Sequence, residues 1–182
     1  ILGFDPSTGE QLWQCVGIPD RGYVCPSVVA DKGIVYAIGG RKNTALAVRT
    51  GGRGDVTESH RLWITDKGSN VSSPVYHDGH IYWIHERLGV ANCLDAATGE
   101  VKYQARLEPR PGLVYSSVIV ADGKLYCASM HSGTYVLSAS PKFELLGHNL
   151  LGEDNSRTNA CPAVHNGQLL LRTDRFLYCI GE

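Results

Sequence analysis

Apolar side chains recur at every second position in short runs broken by turn residues, and the runs themselves repeat. Residues 73–83, 117–127 and 161–171 each read as an apolar or β-branched run, then Asp78-Gly79, Asp122-Gly123 or Asn166-Gly167, then a second apolar run. Residues 25–36 form a fourth copy around Gly33, and the four glycines are spaced by 46, 44 and 44 residues. Three residues after each glycine stands Tyr36, Tyr82, Tyr126 or Leu170, and one residue after it Ile34, His80, Lys124 or Gln168, so polar and apolar positions mostly alternate. A period of two marks a strand, and Asp-Gly and Asn-Gly supply the positive φ angles of a tight type I′ turn, so each copy predicts a β-hairpin.

A third apolar run follows in every copy, at 45–48, 90–94, 134–137 and 176–180, and a fourth, shorter one in three of them, at 61–63, 101–103 and 143–146. Four strands per unit at a period near 45 residues predicts an all-β chain built of β-propeller blades. The predicted divisions are a blade tail at 1–20 and blades at 21–67, 68–110, 111–155 and 156–182. No long window carries uninterrupted helical spacing, so no helix is expected.

Composition narrows the classes. Among 182 residues, 21 Gly and 8 Pro beside 43% apolar and 19% charged residues describe a turn-rich globular chain. Lys and Arg number 17 against 18 Asp and Glu, a net charge of −1, which argues against nucleic acid or an anionic membrane as partner. The longest apolar runs are far below the roughly 20 residues needed to cross a bilayer, so no membrane span is expected. Met130 is the only methionine and the chain opens on Ile1, which makes a processed chain or a piece of a longer one the expectation. Six cysteines lie no closer than ten residues apart, without a Cys-x-x-Cys pair, which argues against zinc or dithiol redox chemistry. Buried, apolar thiols are expected, with disulfides left open.

Two segments join a third strand to a fourth with nearly the same residues: Asp5-Pro6-Ser7-Thr8-Gly9-Glu10-Gln11-Leu12-Trp13 and Asp95-Ala96-Ala97-Thr98-Gly99-Glu100-Val101-Lys102-Tyr103. Asp5, Asp95, Thr8 and Thr98 can hold a turn through their side-chain oxygens, and Gly9 and Gly99 permit an unusual φ. Trp13 and Tyr103 can lie against a neighbouring blade. The pattern is a docking device rather than a catalytic one. It resembles the docking motif of the quinoprotein-type, or PQQ-like, β-propeller family, with Gly3 and Cys93 in place of a leading Ala and Tyr103 in place of a Trp. The other blades depart from it, through the Thr50-Gly51-Gly52-Arg53-Gly54-Asp55 excursion before Trp63 and through residues 137–143.

The resemblance implies a propeller of seven or eight blades, of which about four are present, so that closure needs the remaining blades. Catalytic members carry PQQ with calcium held by acidic and amide side chains; others are non-catalytic scaffolds, including outer-membrane assembly lipoproteins. No such acid and amide set, and no adjacent cysteine pair, is legible here, so neither PQQ nor calcium is expected, although the resemblance leaves both possible. The resemblance also implies export to the periplasm or cell surface.

Other candidates yield to plainer readings. His77, His80 and His85 lie within nine residues, but His77 flanks the hairpin turn where Ala121 and His165 stand in other copies, and His80 takes the polar position of Lys124 and Gln168, so a solvent-exposed place is expected for them. Arg53-Gly54-Asp55 falls in a Gly-rich stretch expected to be a loop, without the ending of a phosphate-binding loop. Ser27, Ser72, Ser73, Ser116 and Ser117 recur with the repeat, and no Gly-x-Ser-x-Gly elbow is present. The connections at 108–113 and 152–159 are either a binding surface or plain solvated links. The expected function is a binding or assembly scaffold that holds a protein partner or small ligand at a propeller face, and the alternative is a PQQ- and calcium-dependent dehydrogenase of an alcohol or sugar.

Overall fold

Each sequence repeat folds into one antiparallel sheet. The structure, a computed structural model, describes residues 1–19 and 23–181. The first sheet holds β1 (Leu2–Phe4) and β2 (Gln11–Gln14); the second holds β3 (Val29–Asp31), β4 (Ile34–Gly39), β5 (Thr44–Arg49) and, after β6 (Gly54–Asp55) and the single helical turn α1 (Thr57–His60), β7 (Arg61–Thr65). The third sheet is β8 (Val75–His77), β9 (His80–Ile84), β10 (Val90–Asp95) and β11 (Val101–Arg106). β12 (Ile119–Ala121), β13 (Lys124–Ala128), β14 (Thr134–Ser138) and β15 (Leu145–Asn149) form the fourth, and β16 (Ala163–His165), β17 (Gln168–Arg172) and β18 (Leu177–Ile180) the fifth.

The hairpins follow from the local residues. At Lys32-Gly33, Asp78-Gly79, Asp122-Gly123 and Asn166-Gly167 both central residues have positive φ, 44° and 77° in the first and 45° and 75° in the second, which is the type I′ geometry. Because the strands of a sheet run antiparallel in sequence order, these hairpins share one end of the sheets with the turns between third and fourth strands. The turns between second and third strands lie at the other end, together with the connections from one sheet to the next. We call the first the hairpin face and the second the connector face.

The first strands β3, β8 and β12 touch one another in series, so they line the inner side of the array. A hydrogen-bond ladder of the same period runs beside them: Ser27 N–H donates to Ser73 Oγ (2.9 Å), Ser73 N–H to Ser117 Oγ (3.0 Å) and Ser117 N–H to Cys161 Sγ (3.1 Å). Ser72 and Ser116, fully buried, donate to the carbonyls of Val114 (2.7 Å) and Ala128 (2.6 Å). The recurring serines thus tie each sheet to the next or close its own backbone.

In the second and third sheets the two middle strands are covered on both faces, which is why β4 and β5 read as nearly continuous apolar runs instead of alternating ones. Trp13, Cys15, Leu46 and Val48 fill the space between the first and second sheets; Tyr36, Ala47, Trp83 and Leu94 that between the second and third; Tyr82, Cys93, Leu125, Tyr135 and Leu137 that between the third and fourth.

Three local expectations are corrected. The Gly51–Asp55 stretch is not only a loop, since β6 within it pairs parallel with β2, Trp13 opposite Gly54 and Gln14 opposite Asp55. One helical turn does form, α1, too short for apolar periodicity to announce, with Asp55 Oδ1 accepting from Thr57 N–H at 2.9 Å. Only Cys15, Cys93 and Cys127 are buried; Cys25, Cys161 and Cys179 are exposed, and all six are free thiols.

Burial pushes the Cys93 and Cys127 thiols up to about 12 from about 9. Burial likewise raises the phenols of Tyr82 and Tyr103. A group whose folded value lies above its unfolded one gives stability that is whole below the unfolded value and lost as pH rises toward the folded one. The urea midpoint is therefore expected to hold steady up to pH about 9 and to fall between there and about 12. A midpoint constant across that window would contradict the burial of these groups.

Candidate functional site

The docking residues lie on the hairpin face. Asp5 Oδ1 accepts from the Ser7 hydroxyl (2.6 Å) and from the Ser7 (2.8 Å) and Thr8 (3.3 Å) amides. Asp95 Oδ1 accepts from the Ala97 and Thr98 amides and the Thr98 hydroxyl, each at 3.0 Å. Thr8 and Thr98 each accept from the glutamate amide two residues on at 3.2 Å, and Gly9 and Gly99 share φ of 74°. The Ser7 hydroxyl and the two amides hold the Asp5 carboxyl below its ordinary range; at Asp95 burial acts to raise it, but the bonds from Thr98 and Ala97 and nearby Lys102 outweigh that. Every hydrogen bond that Asp5 and Asp95 accept here serves the turn, and Asp95 Oδ2 also lies 3.7 Å from Lys102 Nζ on β11.

Each third-to-fourth strand pair has a bulge at the same place. The residue paired just before it is Trp13 opposite Gly3, Trp63 opposite Ala47, Tyr103 opposite Cys93 and Gly147 opposite Val136. Trp63 reaches the third sheet: its Nε1–H donates to Ala96 O at 3.0 Å, and its ring lies where a side chain on Gly99 would stand. The turn carrying the motif in one sheet therefore receives the aromatic of the sheet before it, and Trp63 is a docking residue that spacing alone did not single out.

A polar cluster lies on the connector face, where His85 joins residues the sequence did not point to. Glu86 is 6% exposed, and its Oε2 accepts from the Ser69 hydroxyl at 2.7 Å and the Asn70 amide at 3.3 Å. His85 Nδ1 lies 3.3 Å from the same oxygen, and His85 Nε2 lies 3.2 Å from Asn43 Nδ2. Glu86 and His85 come from the turn between β9 and β10, Asn43 from that between β4 and β5, and Ser69 and Asn70 from the connection between β7 and β8. A cavity of about 420 Å³ opens over this cluster, walled also by Arg41, Arg87, Tyr23 and Tyr115. These contacts join loops 16 to 42 residues apart and leave no periodic trace in the sequence.

The three histidines do not converge. His77 and His80 pair across the Asp78-Gly79 hairpin, half-buried rather than solvent-exposed, with His80 Nδ1 2.8 Å from Asp78 O, while His85 lies past the opposite end of β9. Among the described residues no three of His, Cys, Asp and Glu come together as a metal site. Calcium takes six to eight oxygen ligands. The acid and amide groups nearest to such a set are Glu86, Asn70 and Asn43, of which Asn70 Oδ1 is buried without a partner. Arg41 and Arg87 bring two positive charges to the same cavity and Glu86 Oε2 already accepts two bonds, so these residues do not fit a calcium ion.

The long connections are anchored. Met130 N–H donates to Leu113 O (2.9 Å), Thr158 N–H to Met130 O (2.9 Å) and the Tyr135 hydroxyl to Pro109 O (2.7 Å). Asp154 accepts from the hydroxyls of Ser156 (2.6 Å), Thr173 (2.9 Å) and Tyr178 (2.8 Å), bonds led by Ser156 that hold its carboxyl well below the usual range.

No family model matches the chain, and no curated protein matches it in sequence. Solved structures do match in shape. BamB from Moraxella catarrhalis superposes over 95% of this chain with TM-score 0.71 at 14% identity; this chain spans 50% of that one, about half its length. The computationally designed protein Ika4 superposes over 96% of this chain and 99% of its own at TM-score 0.70 and 12% identity. The designed protein Ika8 does so over 97% of this chain and 51% of its own at TM-score 0.69 and 13% identity. Similarity at this identity speaks for the fold. Together with the four-stranded antiparallel sheets it establishes that the chain is all-β, with the fold of a β-propeller and about four blades.

Proposed function

We propose that the chain is a non-catalytic β-propeller scaffold that holds a protein partner at the connector face. The observation that carries this reading is the wall of the connector-face cavity: Arg41, Arg87, Tyr23 and Tyr115 stand around it on loops anchored to rigid strands. Arg and Tyr dominate the residues that carry binding energy in protein interfaces, because each combines a large contact area with directed hydrogen bonds. Beneath them the Glu86 carboxylate is engaged by Ser69 and Asn70, which fits a clasp between loops better than a reacting group. The two arginines favour a partner segment bearing carboxylates, which guanidinium groups grip in bidentate fashion. Export to the periplasm or cell surface is part of the same proposal and rests on the resemblance of the docking motif to quinoprotein-type propellers.

A labelled oligoglutamate peptide serves as the probe. Fluorescence anisotropy is expected to register saturable binding that weakens with salt, and the Arg41→Ala/Arg87→Ala double variant is expected to lose about tenfold or more in affinity at unchanged melting temperature. Equal binding by the double variant would remove the basis for this face. Incubation with PQQ and Ca²⁺ tests the rival dehydrogenase reading: a protein-bound quinone absorbance with dye-linked oxidation would overturn the scaffold.

A further inference from the structure

Of the four positions that precede the bulge between third and fourth strands, three carry an aromatic ring and the last carries Gly147. Nothing in the backbone requires that glycine. Its φ is not in the left-handed region, and a Cβ built on it meets only Asn149 Nδ2, at 3.7 Å, an ordinary contact. Gly3 and Gly99 differ, since the rings of Trp13 and Trp63 occupy the space a side chain would need.

No neighbouring aromatic substitutes. Phe143, which precedes β15, turns toward the third sheet and packs edge-on against Tyr103 with ring centroids 5.5 Å apart. Along β14 the faces are divided likewise: Tyr135 and Leu137 belong to the core between the third and fourth sheets, while Thr134 and Val136 look toward the fifth. On that side, where the first three interfaces hold a docked ring, a cavity of about 550 Å³ lies between the fourth and fifth sheets. Its walls are Tyr126 and Val136 on one side and Leu169, Leu171 and Ile180 on the other, with Asn149 and Gln168 among the polar groups that reach it.

We propose that this cavity is a binding site for a planar aromatic small molecule, of indole to naphthalene size, carrying one hydrogen-bonding group for Asn149 or Gln168. The repeat itself specifies the class of occupant, because the equivalent place at the other three interfaces is filled by Trp13, Trp63 and Tyr103. The volume falls within the range of about 300–1,000 Å³ typical of small-molecule sites. Apolar side chains make up most of its wall, and an apolar wall gains little from water and takes up aromatic solutes readily. The site stands apart from the connector-face cavity and does not depend on the scaffold reading.

Indole is the probe. Titrated into the protein, it is expected to shift the amide resonances of Val136, Gly147, Leu169, Leu171 and Ile180 saturably and to raise the melting temperature with dose. Gly147→Trp places the ring covalently in the cavity and is expected to weaken indole binding by about tenfold or more while raising the melting temperature; Gly147→Ala is expected to bind as the parent does. Should Gly147→Trp fail to fold, Leu169→Trp fills the same space from the opposite wall with the same expectation. Absence of saturable shifts at these amides, or undiminished binding by a folded cavity-filling variant, would overturn the proposal.

Discussion

A blade of this chain is apolar on both faces and can be stable only when each face is covered by another blade. That constraint organises the rest. It makes β4, β5, β9 and β10 nearly continuous in apolar residues, because their side chains enter cores on either side. It also demands a device that sets the spacing and angle between sheets, and the ring before three of the four bulges, Trp13, Trp63 and Tyr103, supplies one. Trp63 shows it most fully, lying over Gly99 and donating its indole N–H to Ala96 O at 3.0 Å, so that one residue couples packing to a directed bond.

The two faces of the array divide the work. On the hairpin face the polar side chains of the Asp5 and Asp95 turns are engaged by the turns themselves and, at Asp95 and Glu100, by Lys102 of the adjoining strand. On the connector face, loops from neighbouring sheets meet, and carboxylates clasp them: Glu86 joins Ser69 and Asn70, and Asp154 joins Thr173 and Tyr178. Loops fixed in this way present Arg41, Arg87, Tyr23 and Tyr115 with little freedom left to lose, which is the condition under which such side chains bind with affinity.

The strands and the propeller architecture are legible in the sequence because both rest on repeated local chemistry: the positive φ of Asp78-Gly79 and the alternation around Tyr82 recur in four copies, and the oxygens of Asp95 and Thr98 in two. The clasp at Glu86 is not, since its partners sit 16 and 17 residues away on a connection without a pattern of its own. Trp63 escapes the motif because β6 and α1 lengthen the segment before it, and its role emerges only from pairing with Ala47. Phe143 is the aromatic closest in sequence to the docking place in the fourth sheet, but the register of β14 with β15 assigns that place to Gly147. The exposed thiols carry a similar lesson, since burial depends on where the fold puts the residue: Cys25 and Cys161 lie in the connections before β3 and β16, and Cys179 on β18 of the fifth sheet, whereas Cys93 and Cys127 lie on strands inside the core between the third and fourth sheets.

The docked ring determines blade association, and urea unfolding of Trp63→Ala measures that most directly. Loss of the ring and its bond to Ala96 predicts a destabilisation of about 3 kcal/mol with an unchanged denaturant slope. Ile64→Ala, one residue along β7 but pointing to solvent at 45% exposure, is predicted to change stability by no more than about 0.5 kcal/mol. Equal, small effects of the two substitutions would contradict the docked ring as the determinant of blade association.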